Sequence, residues 1–199
     1  MILGVLASGK GSNLQAILDA SWQGRLSARV GMVISNNSRS GALQRARRAG
    51  VPALHLSRQT HPDADLLDRA MCDALREHDC RWVVLAGYMK KLGPRVLAHY
   101  RGRLVNVHPS LLPRHGGQGM YGDRVHQAVL ASGDRVSGAT IHLVTGEYDQ
   151  GPILAQRQVP VCPEDTVETL AQRVLAVEHK LYVETLEALV TGDVQPPPR

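Results

Sequence analysis

Ile2-Leu3-Gly4-Val5-Leu6-Ala7-Ser8-Gly9-Lys10-Gly11-Ser12-Asn13-Leu14 opens the chain with an apolar run, a glycine-rich turn and the first residue of a helical period. Ile2 to Ala7 reads as strand one: it has no basic leader and runs straight into the turn, so it is not a signal peptide. Leu14, Ile17 and Leu18 then recur at helical spacing, which makes the unit strand, glycine loop, helix. The N–H groups at such a helix start have no carbonyl one turn earlier, and the positive end of the helix dipole lies behind them. Together they favour an anion, phosphate above all. Two named loops nearly fit and fail. Gly4 to Lys10 matches the first part of a Walker A loop, but Gly11 stands where Ser or Thr should hold magnesium, and Leu14 replaces the third glycine of the dinucleotide pattern. Ser12 or Asn13 acting only as a helix cap is the simpler reading of the same residues.

The same unit repeats downstream. Ala28 to Ile34 reads as strand two, followed by a basic helix capped by Ser38 or Ser40 and stopped at Gly50. Ala53 to Leu56 is a short third strand, and Asp63 to Asp79 a helix with Leu66, Leu67, Ala70, Met71, Ala74 and Leu75 on its core face. Val83 to Ala86 is apolar throughout, as a strand buried on both faces should be, and Pro94 opens a short helix. After a helix from Asp123 to Ser132, Gly138 to Thr145 and Ile153 to Val161 read as strands joined by Gly146 to Gly151, a connection suited to antiparallel pairing. Asp165 with Glu168 is an N-cap signature for a last helix carrying Leu170, Val174, Val177 and Leu181. The expected fold is α/β: a doubly wound, mostly parallel sheet with helices on both faces, mixed by an antiparallel C-terminal strand pair. Ligands of such a sheet lie beyond the carboxyl ends of its strands. A single domain over 1–192 with a tail at 193–199 is expected, because no repeat or linker divides the chain.

Arg103-Leu104-Val105-Asn106-Val107-His108-Pro109-Ser110-Leu111-Leu112-Pro113 brings chemistry to that edge. Leu104, Val105 and Val107 read as a buried strand that the prolines stop, so Asn106 and His108 sit where it runs out. Residues two apart lie roughly 7 Å apart on one side of a strand. An amide donor beside an imidazole is equipment for holding an oxyanion and moving a proton. The loop from Arg114 to Gly122 holds four glycines and reads as a mobile lid.

Composition narrows the function classes. With 199 residues, 43% hydrophobic and 21% charged, the chain is an ordinary globular protein, and no apolar run approaches the ~20 residues of a membrane span. Its 23 Lys and Arg exceed 18 Asp and Glu, but they are scattered and aromatics are 4%, which favours a basic surface or a small anionic substrate over nucleic acid. Cys72, Cys80 and Cys162 form no C-x-x-C pair, and the first two fall on one expected helix, so reduced thiols in a cytoplasmic setting are expected. His78 and Cys80 are too isolated to suggest a metal site.

Ser8 to Ile17, Ala86-Gly87-Tyr88-Met89, Asn106 to Pro113, His142-Leu143-Val144 before Asp149, and Val177-Glu178-His179-Lys180 together resemble the phosphoribosylglycinamide formyltransferases of purine synthesis, from Ile2 to about Gly192. The resemblance implies transfer of a formyl group from 10-formyltetrahydrofolate to the amine of 5-phosphoribosylglycinamide, without a metal, by a monomer or homodimer. By the same resemblance Gly11, Ser12 and Asn13 would bind the phosphate, with Gly87 and Glu178 also on the substrate. Met89, Lys90, Lys91 and Leu92 would line the folate pocket with Asn106, and Thr145, Gly146, Glu147, Tyr148 and Asp149 would close on the pterin. Asn106, His108 and Asp149 are the implied catalytic set, Asp149 being expected to raise the His108 pKa and keep the ring protonated at the oxyanion. The chain departs from the family at Ala64, where an arginine is common, and at Lys90, which keeps the charge of a common arginine but loses its fork. Arg58, Lys90, Lys91 or a loop residue could replace the missing arginine. Relatives that hydrolyse the formyl group, or move it to a sugar nucleotide or initiator tRNA, usually add a domain. A magnesium-dependent nucleotide-binding protein is the rival from another class.

Overall fold

The computed structural model describes residues 1–195; the last four residues of the expected tail, 196–199, lie outside the described residues. The strands are β1 (Ile2–Leu6), β2 (Arg29–Ser35), β3 (Ala53–His55), β4 (Trp82–Leu85), β5 (Leu104–His108), β6 (Val136–Leu143) and β7 (Ile153–Pro160). The helices are α1 (Ser12–Trp22), α2 (Gly41–Arg48), α3 (Ala64–Glu77), α4 (Pro94–His99), α5 (Asp123–Ala131) and α6 (Val167–Thr191). All seven strands form one sheet in the order β3-β2-β1-β4-β5-β6-β7. β1 pairs in parallel with both β2 and β4, so the chain winds outward on one side of β1 and then on the other. The gap beyond the carboxyl ends of β1 and β4 is thus the switch point where ligands of doubly wound sheets sit. Both pairings of β6, with β5 and with β7, are antiparallel.

Strand parity divides the core. Leu3, Val5, Val84, Val105, Val107, Ile141 and Leu143 face one layer, where they pack with Leu14 and Ile17 of α1, Leu43 of α2, Val129 of α5 and Leu170, Val174 and Leu186 of α6. Leu6, Val83, Leu85 and Leu104 face the other, against Met71 and Leu75 of α3 and Val96 of α4. Asn106 and His108 share the parity of Leu104, so they project on the side that α3 and α4 cover.

Several boundaries differ from expectation for local reasons. β5 runs through Asn106 and His108, because β6 pairs with it as far as His108 and Thr140. At α1 the N-cap is Gly11, at φ 76° and with no side-chain cap; Ser12 and Asn13 lie inside the first turn and do not cap it. A Cβ at Gly11 would lie 2.7 Å from the Ala42 Cα, so α2 packs against the loop too closely for any other residue. Ser40 caps α2 by accepting the Leu43 N–H, which decides between the two serines. At α6 Thr166 is the cap, in a reciprocal pair with Thr169, where Asp165 was expected. Asp165 is drawn away by the Arg173 guanidinium at 2.6 and 2.9 Å and by the Cys162 N–H. α3 ends at Glu77, so Cys80 follows that helix and is not part of it.

Candidate active site

Four segments meet at the switch point. The N–H of Ser8, just past β1, donates to the Gly87 carbonyl just past β4, and its hydroxyl accepts from the Met89 N–H at 2.8 Å. That tie sets the mouth of a cavity of about 740 Å³ between these loops, the end of β5 and the segment after β6. Every candidate residue borders it: Gly11, Ser12 and Asn13 at the α1 start; Gly87 to Leu92 after β4; Asn106 and His108; Thr145 to Asp149; and Glu178 from α6. The glycine-rich segment Gly117 to Gly122 forms a further wall.

The cavity floor holds a linked polar group. Asn106 lies opposite His142 in the antiparallel register of β5 and β6, and its Nδ2 is 3.0 Å from His142 Nε2. His142 Nδ1 lies 2.8 Å from the Leu143 carbonyl, which can only accept, so Nδ1 carries the proton and Nε2 accepts from the amide. Asn106 Nδ2 keeps its second hydrogen for another acceptor. Asp149 stands between the two rings, Oδ2 at 3.5 Å from His108 Nδ1 and Oδ1 at 3.5 Å from His142 Nε2. Its backbone is at φ 54°, and the Gly117 N–H donates to its Oδ2 at 2.9 Å. Burial pushes the Asp149 carboxyl up, but the His142 and His108 rings and the Gly117 N–H outweigh it and hold it below the usual carboxylate range.

His108 departs from the sequence expectation. Its pKa is lowered from 6.5, not raised: burial among β5, β6 and the 114–117 segment is the largest influence, and Asp149 and the His115 carbonyl only partly oppose it. At 3.5 Å the carboxylate is beyond close hydrogen bonding, so its field recovers less than desolvation removes. The resting ring is neutral at pH 7.

Glu178 is buried one helical turn before Tyr182 on α6 and accepts from Asn13 Nδ2 at 2.7 Å. Burial drives its carboxyl up to about 7, against the pull of the Asn13 amide. Asn13 Oδ1 is buried with no partner among the described residues, an acceptor at the cavity wall that a ligand donor would satisfy. The Tyr182 hydroxyl lies 3.1 Å from both the Leu85 and the Val105 carbonyls, joining the ends of β4 and β5 under the site.

A family model for formyl transferases matches residues 1–186. The chain belongs to the formyl transferase family. A chloroplastic phosphoribosylglycinamide formyltransferase from Vigna unguiculata is 46% identical over 187 residues, 94% of this chain and 60% of that protein. The chain thus spans about 60% of that relative's length. A phosphoribosylglycinamide formyltransferase from Escherichia coli K12 is 39% identical over 89% of this chain and 82% of its own. A solved glycinamide ribonucleotide transformylase 1 from Symbiobacterium toebii superposes with a TM-score of 0.91 at 42% identity, over 96% of this chain and 88% of that one.

Two residues at this site were not assigned roles from sequence. His142 was noted in a motif, but only the β5–β6 register sets it opposite Asn106. His126, on α5, is buried at the cavity wall with Nδ1 unpartnered among the described residues, and burial lowers its pKa. No spacing pattern in the chain points to it.

Proposed function

We propose that this chain transfers the formyl group of 10-formyltetrahydrofolate to the amine of 5-phosphoribosylglycinamide, releasing tetrahydrofolate and the formylated amide. The observation that carries the reading is one cavity bordered by the Gly11–Asn13 helix start, the Asn13–Glu178 pair and the Asn106, His108, Asp149 and His142 group. The helix start suits the phosphate; Glu178 and the open Asn13 acceptor suit the polar ribose or glycinamide end. Residues 89–92 and 145–149 take the folate: Lys91 stands over the Tyr148 ring at 5.8 Å, and Leu85, Leu97 and Val144 supply apolar wall.

The neutral resting state of His108 sets the order of steps. Attack of the amine nitrogen on the formyl carbon opens the C=O, giving a tetrahedral centre with O⁻ and a positive nitrogen. The spare Asn106 N–H stabilises the oxyanion, and His108 takes a proton from the nitrogen. The imidazolium so formed faces Asp149, which lowers the cost of the charge, and then gives the proton to N10 as the C–N10 bond breaks. Removing a donor or the proton carrier at such a centre costs roughly 10²-fold or more in kcat.

Arg58, Lys90 and Lys91 are the candidates for the charge of the arginine absent at Ala64, and Arg58 stands beside that position. It borders a second cavity, of about 880 Å³, together with Ala64, Arg39, Lys90 and Lys91, and the two cavities share Tyr88 and residues 90–92. The three cysteines are free, which fits a reducing compartment such as the cytoplasm.

The reading is tested by measuring tetrahydrofolate release from 10-formyltetrahydrofolate with and without phosphoribosylglycinamide, for the wild type and His108→Ala. Release that requires the amine and falls about 10²-fold or more in the variant is expected. Equal release without the amine would make water the acceptor and the chain a hydrolase.

A further inference from the structure

His115 and Asp134 lie outside the cavity wall, yet a chain of contacts leads from them to the reacting group. The Asp134 carboxylate takes two partners from the segment after β5, Arg114 Nη2 at 2.5 Å and His115 Nε2 at 2.7 Å. The His115 contact is the main reason its carboxyl is held below the usual range, so Asp134 is ionised at neutral pH. The backbone of the same segment turns inward. His115 is at φ 53°, a left-handed conformation that a side-chain-bearing residue adopts only when held there. Its carbonyl lies 2.8 Å from His108 Nε2. The preceding carbonyl, of Arg114, accepts from the Ser110 hydroxyl at 2.7 Å, and the Gly117 N–H reaches Asp149. Gly116 lies between these contacts, and a Cβ there would run into the Leu112 side chain. Side chains of 114–115 therefore grip Asp134 on the outside, while main-chain groups of 115–117 hold His108 and Asp149 on the inside.

A carbonyl oxygen can only accept, so the His115 contact places the His108 proton on Nε2 and leaves Nδ1 bare in the neutral ring. Nδ1 is the nitrogen nearest Asp149. We propose that His115 and Asp134 are positioning residues: the Asp134 grip on the His115 ring holds the His115 carbonyl on His108 Nε2, which fixes the His108 tautomer and makes Nδ1 the nitrogen that exchanges the proton. The consequence for turnover rests on the formyl transfer reading; the tautomer itself does not.

The test uses the full chain with ¹⁵N-labelled histidine. Two-bond ¹H–¹⁵N spectra identify the protonated ring nitrogen of His108 in the wild type, Asp134→Ala, His115→Phe and His115→Gln, and kcat and KM are measured on the same samples. The wild type is expected to show a single Nε2–H form. Asp134→Ala and His115→Phe are expected to show mixed tautomers, with kcat down roughly tenfold or more and each KM within about twofold, since a wrong tautomer costs rate and not binding. His115→Gln keeps a donor toward Asp134 and should regain part of the lost kcat relative to His115→Phe, in tautomer as in rate; Asp134→Asn, which keeps the shape but removes the charge, is read for the same loss where Asp134→Ala or His115→Phe folds poorly. A pure Nε2–H form in Asp134→Ala or His115→Phe, mixed tautomers with unchanged kcat, or a loss confined to KM would each overturn the proposal. If the wild type shows the expected tautomer but moves no formyl group, the functional reading fails while the tautomer assignment stands.

Discussion

His108 is the side chain where two effects of similar kind compete, and distance decides between them. A carboxylate 3.5 Å away pulls its pKa up, while burial pulls it down more, so the free ring titrates below 6.5. Asp149→Asn removes the upward influence, so an NMR titration should place His108 lower still in that variant. A rise would mean that Asp149 acts on the ring by something other than its charge. Glu178 is the opposite case, a carboxyl raised from 4.5 to about 7 by burial. Its folded state holds the proton more tightly than the unfolded chain does. That contribution is complete below pH 4.5 and is lost as pH rises through about 7. Glu178→Gln, which cannot ionise, should match the wild type in unfolding free energy near pH 4.5 and exceed it above pH 7, by roughly 3 kcal/mol. Denaturant melts at the two pH values check this; an equal difference at both would show that Glu178 titrates normally.

α6 is the element that ties binding to the sheet. It carries Glu178 on one turn and Tyr182 on the next, and Tyr182 reaches the carbonyls of Leu85 and Val105 on neighbouring strands. Since Leu85 is the register partner of Asn106, the strand that presents the amide is held from below by the helix that presents the carboxyl. Tyr182→Phe should lower stability by about 1–2 kcal/mol, read as a shift in urea midpoint at unchanged slope. An unshifted midpoint would mean the hydroxyl adds nothing to holding the strands. Helix ends were less legible than helices. Thr166 and not Asp165 caps α6, because Arg173, eight residues on, captures the aspartate, and an i to i+8 competition across a helix start is invisible to a four-residue cap signature. Equally, Gly11 reads as part of a turn in the sequence, but the reason it must be glycine is Ala42, which arrives from α2.

For the molecule as a whole, the site is an assembly of segments far apart in the chain, brought together where β1 and β4 separate the two directions of winding. A ligand that bridges those segments should stabilise the fold as a unit. Phosphoribosylglycinamide at about 100 times its Kd contributes about 2.7 kcal/mol, a rise in Tm of roughly 5–10 °C for a chain of this size. Gly11→Ala should abolish most of that rise, and a rise kept in full would place the phosphate elsewhere. The alternation of apolar strands with 3.6-period helices, the sheet class, the anion loop and the Asn106–His108 pair were readable in order along the chain, because local periodicity and turn chemistry are short-range properties that each segment carries with it; Gly87, Glu178 and residues 145–149 came only with the family resemblance, and His126 had no signal at all. What the chain could not disclose was how those residues act on one another: that His142 meets Asn106 through strand register, that burial overrides Asp149 at His108, and that His115 turns its carbonyl onto the same ring. Those depend on distances and solvent exclusion between segments that only folding brings together, and a pKa or a tautomer is set by such surroundings and not by the residue's type.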